Sequence, residues 1–202
     1  MKQIIIILTA IVLSCASAQE IRPIRDDVGY CWKQEQMAKL VDYLQKIETD
    51  KPVDNIIAGI SPHDDYLYAG RVYYPLFRSL MAKEVVIFGV THGTVRKEIG
   101  DPQNILLFDE FGEWRGPRKN ISISPLREFI KTRLDTSCFK VNNKAHQLEH
   151  SIEGLLPFLQ YYNPDIKITP IMVTAMPYER METVSEKLSA ITNLLKRYKI
   201  LE

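Results

Sequence analysis

The fold predicted from this sequence depends on the stretch Asn55-Ile-Ile-Ala-Gly-Ile-Ser-Pro-His63 and on a second one, Glu84-Val-Val-Ile-Phe-Gly-Val-Thr-His92. Each is an apolar run followed by a histidine, and an apolar run without polar alternation is typical of a strand buried on both faces. Apolar side chains recur at helical spacing over residues 69–83. The pattern therefore predicts a strand, a helix and a second strand parallel to the first.

Both histidines come at the carboxyl ends of the predicted strands. Parallel strands end at the same edge of a sheet, and this edge is where ligands bind in open α/β folds. Neighbouring strands lie about 5 Å apart. We therefore expect His63 and His92 to reach a single metal ion.

The rest of the chain alternates between helical and extended patterns, which favours an α/β fold, a three-layer α/β/α sandwich around a mostly parallel sheet. Further helices are predicted over residues 31–48, 125–134, 147–162 and 182–198. Further strands are predicted over residues 105–108, 121–124, 139–141 and 166–174, and residues 199–202 have the pattern of a strand that begins there.

Residues 1–18 have the pattern of a secretory signal. Lys2 precedes an apolar core over residues 4–13, and Ala16-Ser17-Ala18 is a small-x-small cleavage site before Gln19. The apolar core is too short to span a membrane. An alternative is a lipoprotein signal, with a lipid anchor on Cys15. Both interpretations predict export, either to the periplasm or extracellular space or, for a lipoprotein, to the outer membrane.

The charges are balanced, with 26 Lys and Arg against 25 Asp and Glu, and there is no basic run. This composition argues against nucleic acid as a partner. Residues 19–202 have the length of one domain. Cys31 and Cys138 are either free thiols or, in an oxidising compartment, a pair, because two distant cysteines do not define a disulfide framework.

A third chemical cluster is His146-Gln-Leu-Glu149-His150-Ser-Ile-Glu153. On one helix, His146 and His150 would share a face, with Glu149 and Glu153 on the adjacent face. His150 and Glu149 are then candidates for proton transfer or for support of a metal ligand. His146 is a further candidate to line the site. The same residues also fit H-x-x-E-H, the pattern of zinc peptidases in which two helical histidines bind zinc and a glutamate activates water.

Several segments resemble the Memo family. Residues 61–70 resemble its S-P-H-A-G-Y-x-Y-S-G segment, and residues 145–160 are similar to its A-H-x-x-E-H-S-x-E-x-x-x-P-F-L-Q segment. Residues 89–92 and 114–117 are similar to its G-x-x-H turn and its tryptophan loop. The family includes AmmeMemoRadiSam system protein B and shares its fold with class III extradiol dioxygenases, in which two histidines and a glutamate hold non-haem iron. The resemblance implies that His63 and His92 are metal ligands.

The sequence departs from the family pattern in two ways. Asp64 and Asp65 replace a small Ala-Gly pair, so they either cap the following helix, add oxygen ligands or orient His63. The family's later strand with an S-S-D-x-x-H-like segment, and a still later cysteine ligand, have no counterpart before Glu202. We therefore interpret residues 19–202 as a Memo-like domain that lacks its C-terminal part.

Three functions remain open from the sequence. The first is an iron- or copper-dependent oxidoreductase, with His63 and His92 as ligands and His150 moving a proton, that reacts with oxygen or with an aromatic or thiol substrate. The second is a non-catalytic module that binds a small molecule or peptide in the same cleft. The third is the zinc peptidase. Only the enzymes need a bound metal with an open coordination position.

Overall fold

The computed structural model of the chain describes residues 20–198. The predicted signal, including Cys15, and the strand predicted at residues 199–202 lie outside the described residues. Within residues 20–198, no helix is both long enough and apolar enough to cross a membrane.

The described residues form a mixed α/β structure. The strands are β1 (Ile21–Arg22), β2 (Glu84–Val90), β3 (Leu106–Phe108), β4 (Glu113–Trp114), β5 (Ile121–Ser122), β6 (Phe139–Val141) and β7 (Lys167–Val173). The α-helices are α1 (Gln34–Ile47), α2 (Tyr66–Phe77), α3 (Gly93–Glu98), α4 (Leu126–Lys131), α5 (Asn143–Leu148), α6 (Leu156–Tyr162) and α7 (Tyr178–Tyr198).

The main sheet has the strand order β2-β7-β3-β6, and a small second sheet has the order β1-β4-β5. β2 is parallel to β7 and β3 to β6, whereas β3 is antiparallel to β7. The sheet is thus mixed rather than purely parallel, and two of its three strand pairs are parallel, in agreement with the predicted mostly parallel sheet. α3, between β2 and β3, has six residues and is about 9 Å long. Because β2 is parallel and β3 antiparallel to β7, β3 begins at the end of the sheet where β2 finishes.

Helices cover both faces of the main sheet and give the predicted three layers. On one face, α1, α2 and α6 pack through residues such as Met37, Tyr73 and Phe158. On the other face, α4 and α7 pack through residues such as Ile130 and Val184. The prediction of an α/β/α sandwich is therefore confirmed.

The predicted strand at residues 55–60 is wrong. Asn55 has a φ of 58°, and the residues that follow form no strand. Ile57 and Ile60 are fully exposed. A strand must pair its backbone N–H and C=O groups, but β2 pairs only with β7 among the described strands. Residues 56–61 instead form one wall of a groove of about 700 Å³, with β2 as the opposite wall.

The single helix predicted over residues 147–162 is also wrong, because the chain leaves the helix at Glu149. This residue has extended backbone angles, φ −93° and ψ 141°. Its carboxylate accepts the backbone N–H groups of His150 and Ser151 at 2.8 and 3.1 Å. These bonds compete with helical ones, so α5 and α6 are separate helices and His146 and His150 do not share a face.

The other predicted elements are present with shifted ends. The strand predicted over residues 121–124 stops at Ser122, and the Ser124 hydroxyl accepts the N–H of Leu126 at the start of α4. Cys31 and Cys138 are free thiols.

Candidate metal centre

Three histidines meet at one edge of the main sheet. Nε2 of His63 lies 3.2 Å from Nε2 of His92. The His150 ring stacks on that of His92, with centroids 5.0 Å apart and planes 12° from parallel. One ring nitrogen from each histidine lies within 4.8 Å of the other two. The predicted proximity of His63 and His92 is confirmed, and His150 completes the cluster.

His63 is held in place by two tyrosine hydroxyls, although no strand precedes it. Tyr30 donates a hydrogen bond to the backbone carbonyl of His63 at 2.6 Å, and Tyr73 donates to that of Asp64 at 3.0 Å. Burial raises the pKa of both phenols, so they remain protonated donors. These two contacts fix the turn between the groove and α2.

His92 is held by Glu149, whose side chain is 2% exposed. The carboxylate accepts the backbone N–H of His92 and its Nδ1–H, each at 2.8 Å. Burial alone would raise the pKa of Glu149, but the hydrogen bonds from His92 and Ser151 outweigh it and lower the pKa, so the group is a carboxylate. Because Nδ1 of His92 donates to this anion, its Nε2 is the nitrogen left with a lone pair, facing the cluster.

The geometry and charge of the cluster fit a bound ion. With bonds of about 2.0–2.1 Å, two nitrogens arranged tetrahedrally around one ion lie about 3.3 Å apart, close to the 3.2 Å between His63 and His92. Burial, then the neighbouring His92 and His150, lowers the pKa of His63, which favours the neutral imidazole that metals require. In the neutral pair His63 Nε2–H donates to Nε2 of His92, and for Nε2 of His63 to bind an ion its proton would move to Nδ1.

The cluster is accessible from two sides. A cavity of about 390 Å³ adjoins His92 and His150, with Arg25, Asp26 and Thr94 among its lining residues. The groove of about 700 Å³ reaches His63 from the other side. Three nitrogen ligands with an accessible remaining position are typical of catalytic rather than structural metal sites.

His146 does not belong to the cluster. It is fully buried, its Nε2–H donates to the carbonyl of Leu107 at 3.0 Å, and its ring meets the edge of Trp114. Burial lowers its pKa, so the ring is neutral. The prediction that His146 lines the site is therefore not supported by its position. The pair of helical zinc ligands that the peptidase requires is also not formed by His146 and His150.

Asp64 and Asp65 contribute no ligand atom to the histidine cluster. Asp65 occupies the N-cap position of α2, but its side chain makes no capping hydrogen bond. Asp64 accepts the N–H of Asp65 at 2.8 Å. The two aspartates therefore lie at the start of α2, as the capping interpretation predicts, but the capping hydrogen bond itself is not formed.

Sequence reasoning missed Arg22, a buried residue of β1 that contacts the turn next to the cluster. Its side chain is 1% exposed, pairs with Glu153 and contacts the backbone of the turn at Glu149. No local pattern marks this arginine, because its partners lie more than 120 residues later in the chain.

Comparison with known proteins gives one consistent family. A sequence profile described as Memo-like protein matches residues 29–200. A MEMO1 family protein of Sulfurisphaera tokodaii is 30% identical over 161 residues, which cover 77% of this chain and 53% of that protein. MEMO1 family proteins of Methanosarcina barkeri and Pyrococcus furiosus are 33% and 32% identical, over 71% and 66% of this chain and 49% and 47% of theirs. The chain thus spans about half the length of the curated relatives it matches.

Proposed function

The chain belongs to the Memo family, and we propose that it binds one transition-metal ion between His63, His92 and His150. The observation that carries the proposal is the set of three imidazole nitrogens within 4.8 Å of one another. Imidazole ligands suit iron, copper and zinc. The signal pattern of residues 1–18 supports a site of action outside the cytoplasm.

We further propose that the site serves a metal-dependent oxidoreductase. An iron or copper ion held there would supply one-electron chemistry that amino-acid side chains lack. His63 and His92 hold the ion, and Glu149 keeps Nε2 of His92 directed at it. His150 is the third ligand in this proposal. The cavity beside His92 and His150 would admit a small substrate to the open side of the site.

A second candidate function is supported by the groove between residues 56–61 and β2. It is the larger cavity, at about 700 Å³, and its walls include Ile56, Leu76, Leu80 and Val86. An apolar cavity of this size is typical of a ligand site. The second candidate is therefore a non-catalytic module that binds a small molecule or peptide without a metal.

The test is an anaerobic titration of the metal-free protein with Fe(II), Cu(I) and Zn(II). We expect one ion per chain. We expect His63→Ala, His92→Ala and His150→Ala each to weaken binding by at least tenfold. The matched control is His146→Gln, which removes the remaining histidine of the chain and should leave the stoichiometry unchanged. Circular dichroism checks that each variant is folded.

Each outcome separates the proposals. Binding that needs His63 and His92 but not His150 would return His150 to the proton-transfer role predicted from the sequence. Binding that needs His146 and His150 would support the peptidase. A parent protein that binds none of the three ions would refute the metal site and favour the binding module.

A further inference from the structure

We infer that Arg22 is a positioning residue of the metal site, because it fixes the turn that places Glu149 against His92. The inference rests on the proposed metal site and extends it to a residue on β1, outside the histidine cluster. Arg22 touches none of the three histidine rings, so its effect would pass through the backbone at Glu149.

The guanidinium of Arg22 makes three polar contacts in the protein interior. Nε donates to the carbonyl of His146 at 2.9 Å, and Nη2 donates to the carbonyl of Glu149 at 2.6 Å. Nη1 pairs with the carboxylate of Glu153, which is fully buried. The guanidinium carbon lies 4.5 Å from the centre of the Trp114 ring. These contacts leave Arg22 little freedom to move.

The two carbonyl contacts are made where the chain leaves α5. The last carbonyls of a helix have no partner within the helix, and a cation near them is favourable. Arg22 donates hydrogen bonds to two of these carbonyls, those of His146 and Glu149. Glu149 is then held at both ends, with its carbonyl bound to Arg22 and its carboxylate bound to the N–H groups of His92.

The contact with Glu153 extends the effect to the cavity wall. The carboxylate of Glu153 also accepts the backbone N–H groups of Arg25 at 2.9 Å and Asp26 at 2.7 Å. Arg25 and Asp26 line the cavity beside His92 and His150. The ion pair of Arg22 and Glu153 therefore contacts both the turn at Glu149 and the cavity wall at Arg25 and Asp26.

Lysine cannot reproduce this arrangement. A guanidinium presents several N–H donors in a fixed fork, whereas an ammonium is a compact charge on a flexible stem. Burial lowers the pKa of Arg22 to about 9, so the guanidinium still carries its charge at pH 7. Arg22→Lys should therefore keep a charge near Glu153 and lose the simultaneous contacts with both carbonyls.

The experiment compares Arg22→Lys with Arg127→Lys. Arg127 is a matched control because it is also buried, pairs with Asp109 and donates to the carbonyl of Phe111, yet makes no contact with the turn at Glu149. We expect Arg22→Lys to weaken Zn(II) binding by about 10- to 100-fold, which is the typical effect of substituting a residue that supports a metal ligand. Arg127→Lys should change it less than threefold. All measurements are made where circular dichroism shows the variants folded.

A second readout uses the metal-free protein. The Nδ1–H of His92 should give a proton NMR signal protected from exchange by Glu149. We expect Arg22→Lys to shift this signal and speed its exchange with water, and Arg127→Lys to leave it unchanged. If Arg22→Lys does not fold, Glu153→Gln takes its place with the same expected changes, since it weakens the anchor of Arg22 without removing the guanidinium.

Equal effects of Arg22→Lys and Arg127→Lys on Zn(II) affinity would show that Arg22 is only a structural residue and would overturn the inference. If the parent protein binds no metal, the proposed function fails by itself, and the NMR comparison decides on Arg22. An unchanged His92 signal in Arg22→Lys would then refute the positioning role, and a shifted signal would support it.

Discussion

Glu149→Gln tests the hydrogen bonds that hold the histidine cluster together. In the parent protein, Oε1 of Glu149 accepts Nδ1–H of His92 and the backbone N–H groups of His150 and Ser151, at 2.8–3.1 Å. Oε2 accepts the backbone N–H of His92 at 2.8 Å. Glutamine has the same shape but only one acceptor oxygen, and its NH₂ group is a donor.

The expected loss of stability follows from these four bonds. If the amide oxygen takes the place of Oε1, the NH₂ group faces the backbone N–H of His92, and that partly buried donor loses its partner at a cost of about 1–3 kcal/mol. The three remaining bonds lose the charge of the carboxylate, which roughly doubles the strength of a hydrogen bond. Since such terms are not additive, we expect a total decrease of about 3 kcal/mol in the free energy of unfolding.

Urea unfolding followed by tryptophan fluorescence measures this change. The buffer contains a chelator, because a bound ion would stabilise the folded state and obscure the comparison. Glu186→Gln is the control, because Glu186 is exposed on α7 and should change stability by less than about 0.5 kcal/mol. A loss as small as that in Glu149→Gln would refute the bonding described for Glu149.

Two further predictions concern buried polar groups. Burial lowers the pKa of His146, so the unfolded chain binds more protons than the folded one below about pH 6.5. The free energy of unfolding should therefore fall as the pH drops from about 7 to about 5. Urea unfolding should show a smaller fall for His146→Gln than for the parent protein. Asp109 accepts Nη1–H of Arg127 at 2.5 Å and Nε1–H of Trp114 at 2.6 Å. Asp109→Asn should therefore lower the free energy of unfolding by about 3 kcal/mol, because it removes the buried carboxylate that pairs with Nη1 of Arg127 and leaves only the exposed Glu128 as its ionic partner.

The controls for these two predictions use the same unfolding measurements. His63 and Glu149 also have lowered pKa values and contribute the same sign of pH dependence, so only the difference between parent and His146→Gln is informative. Identical pH profiles would contradict a neutral buried His146. For Asp109→Asn, the control is Asp54→Asn on the exposed surface, and equal effects of the two substitutions would contradict the buried ion pair.

The sequence predicted the meeting of His63 and His92, although part of the reasoning was wrong. β2 does deliver His92 to the edge of the sheet, as its apolar run predicts. The run before His63 is equally apolar but has no partner strand among residues 20–198, so it stays outside the sheet. His63 reaches the same place because Tyr30 and Tyr73 hold the turn, and such contacts between distant residues leave no periodic signal.

The position of His150 could not be predicted from helical spacing. The helix is predicted over residues 147–162, whereas α5 covers residues 143–148, and the spacing contains no information about how the Glu149 carboxylate is used. Its bonds to His150 and Ser151, together with the contact from Arg22, turn the chain out of the helix. That turn moves His150 to the cluster and leaves His146 in the core. The turn beside the cluster is thus contacted by an arginine that is far away in the sequence.

The outer edge of β2 has a consequence for handling the protein. Among the described strands only β7 pairs with it, and Val85–Val90 contains neither a charge nor a proline. Phe88 and Val90 are about half exposed. An unpaired, uncharged strand edge is a template for pairing with another chain. We therefore expect Phe88→Lys to improve the solubility of the protein at high concentration more than it improves folding.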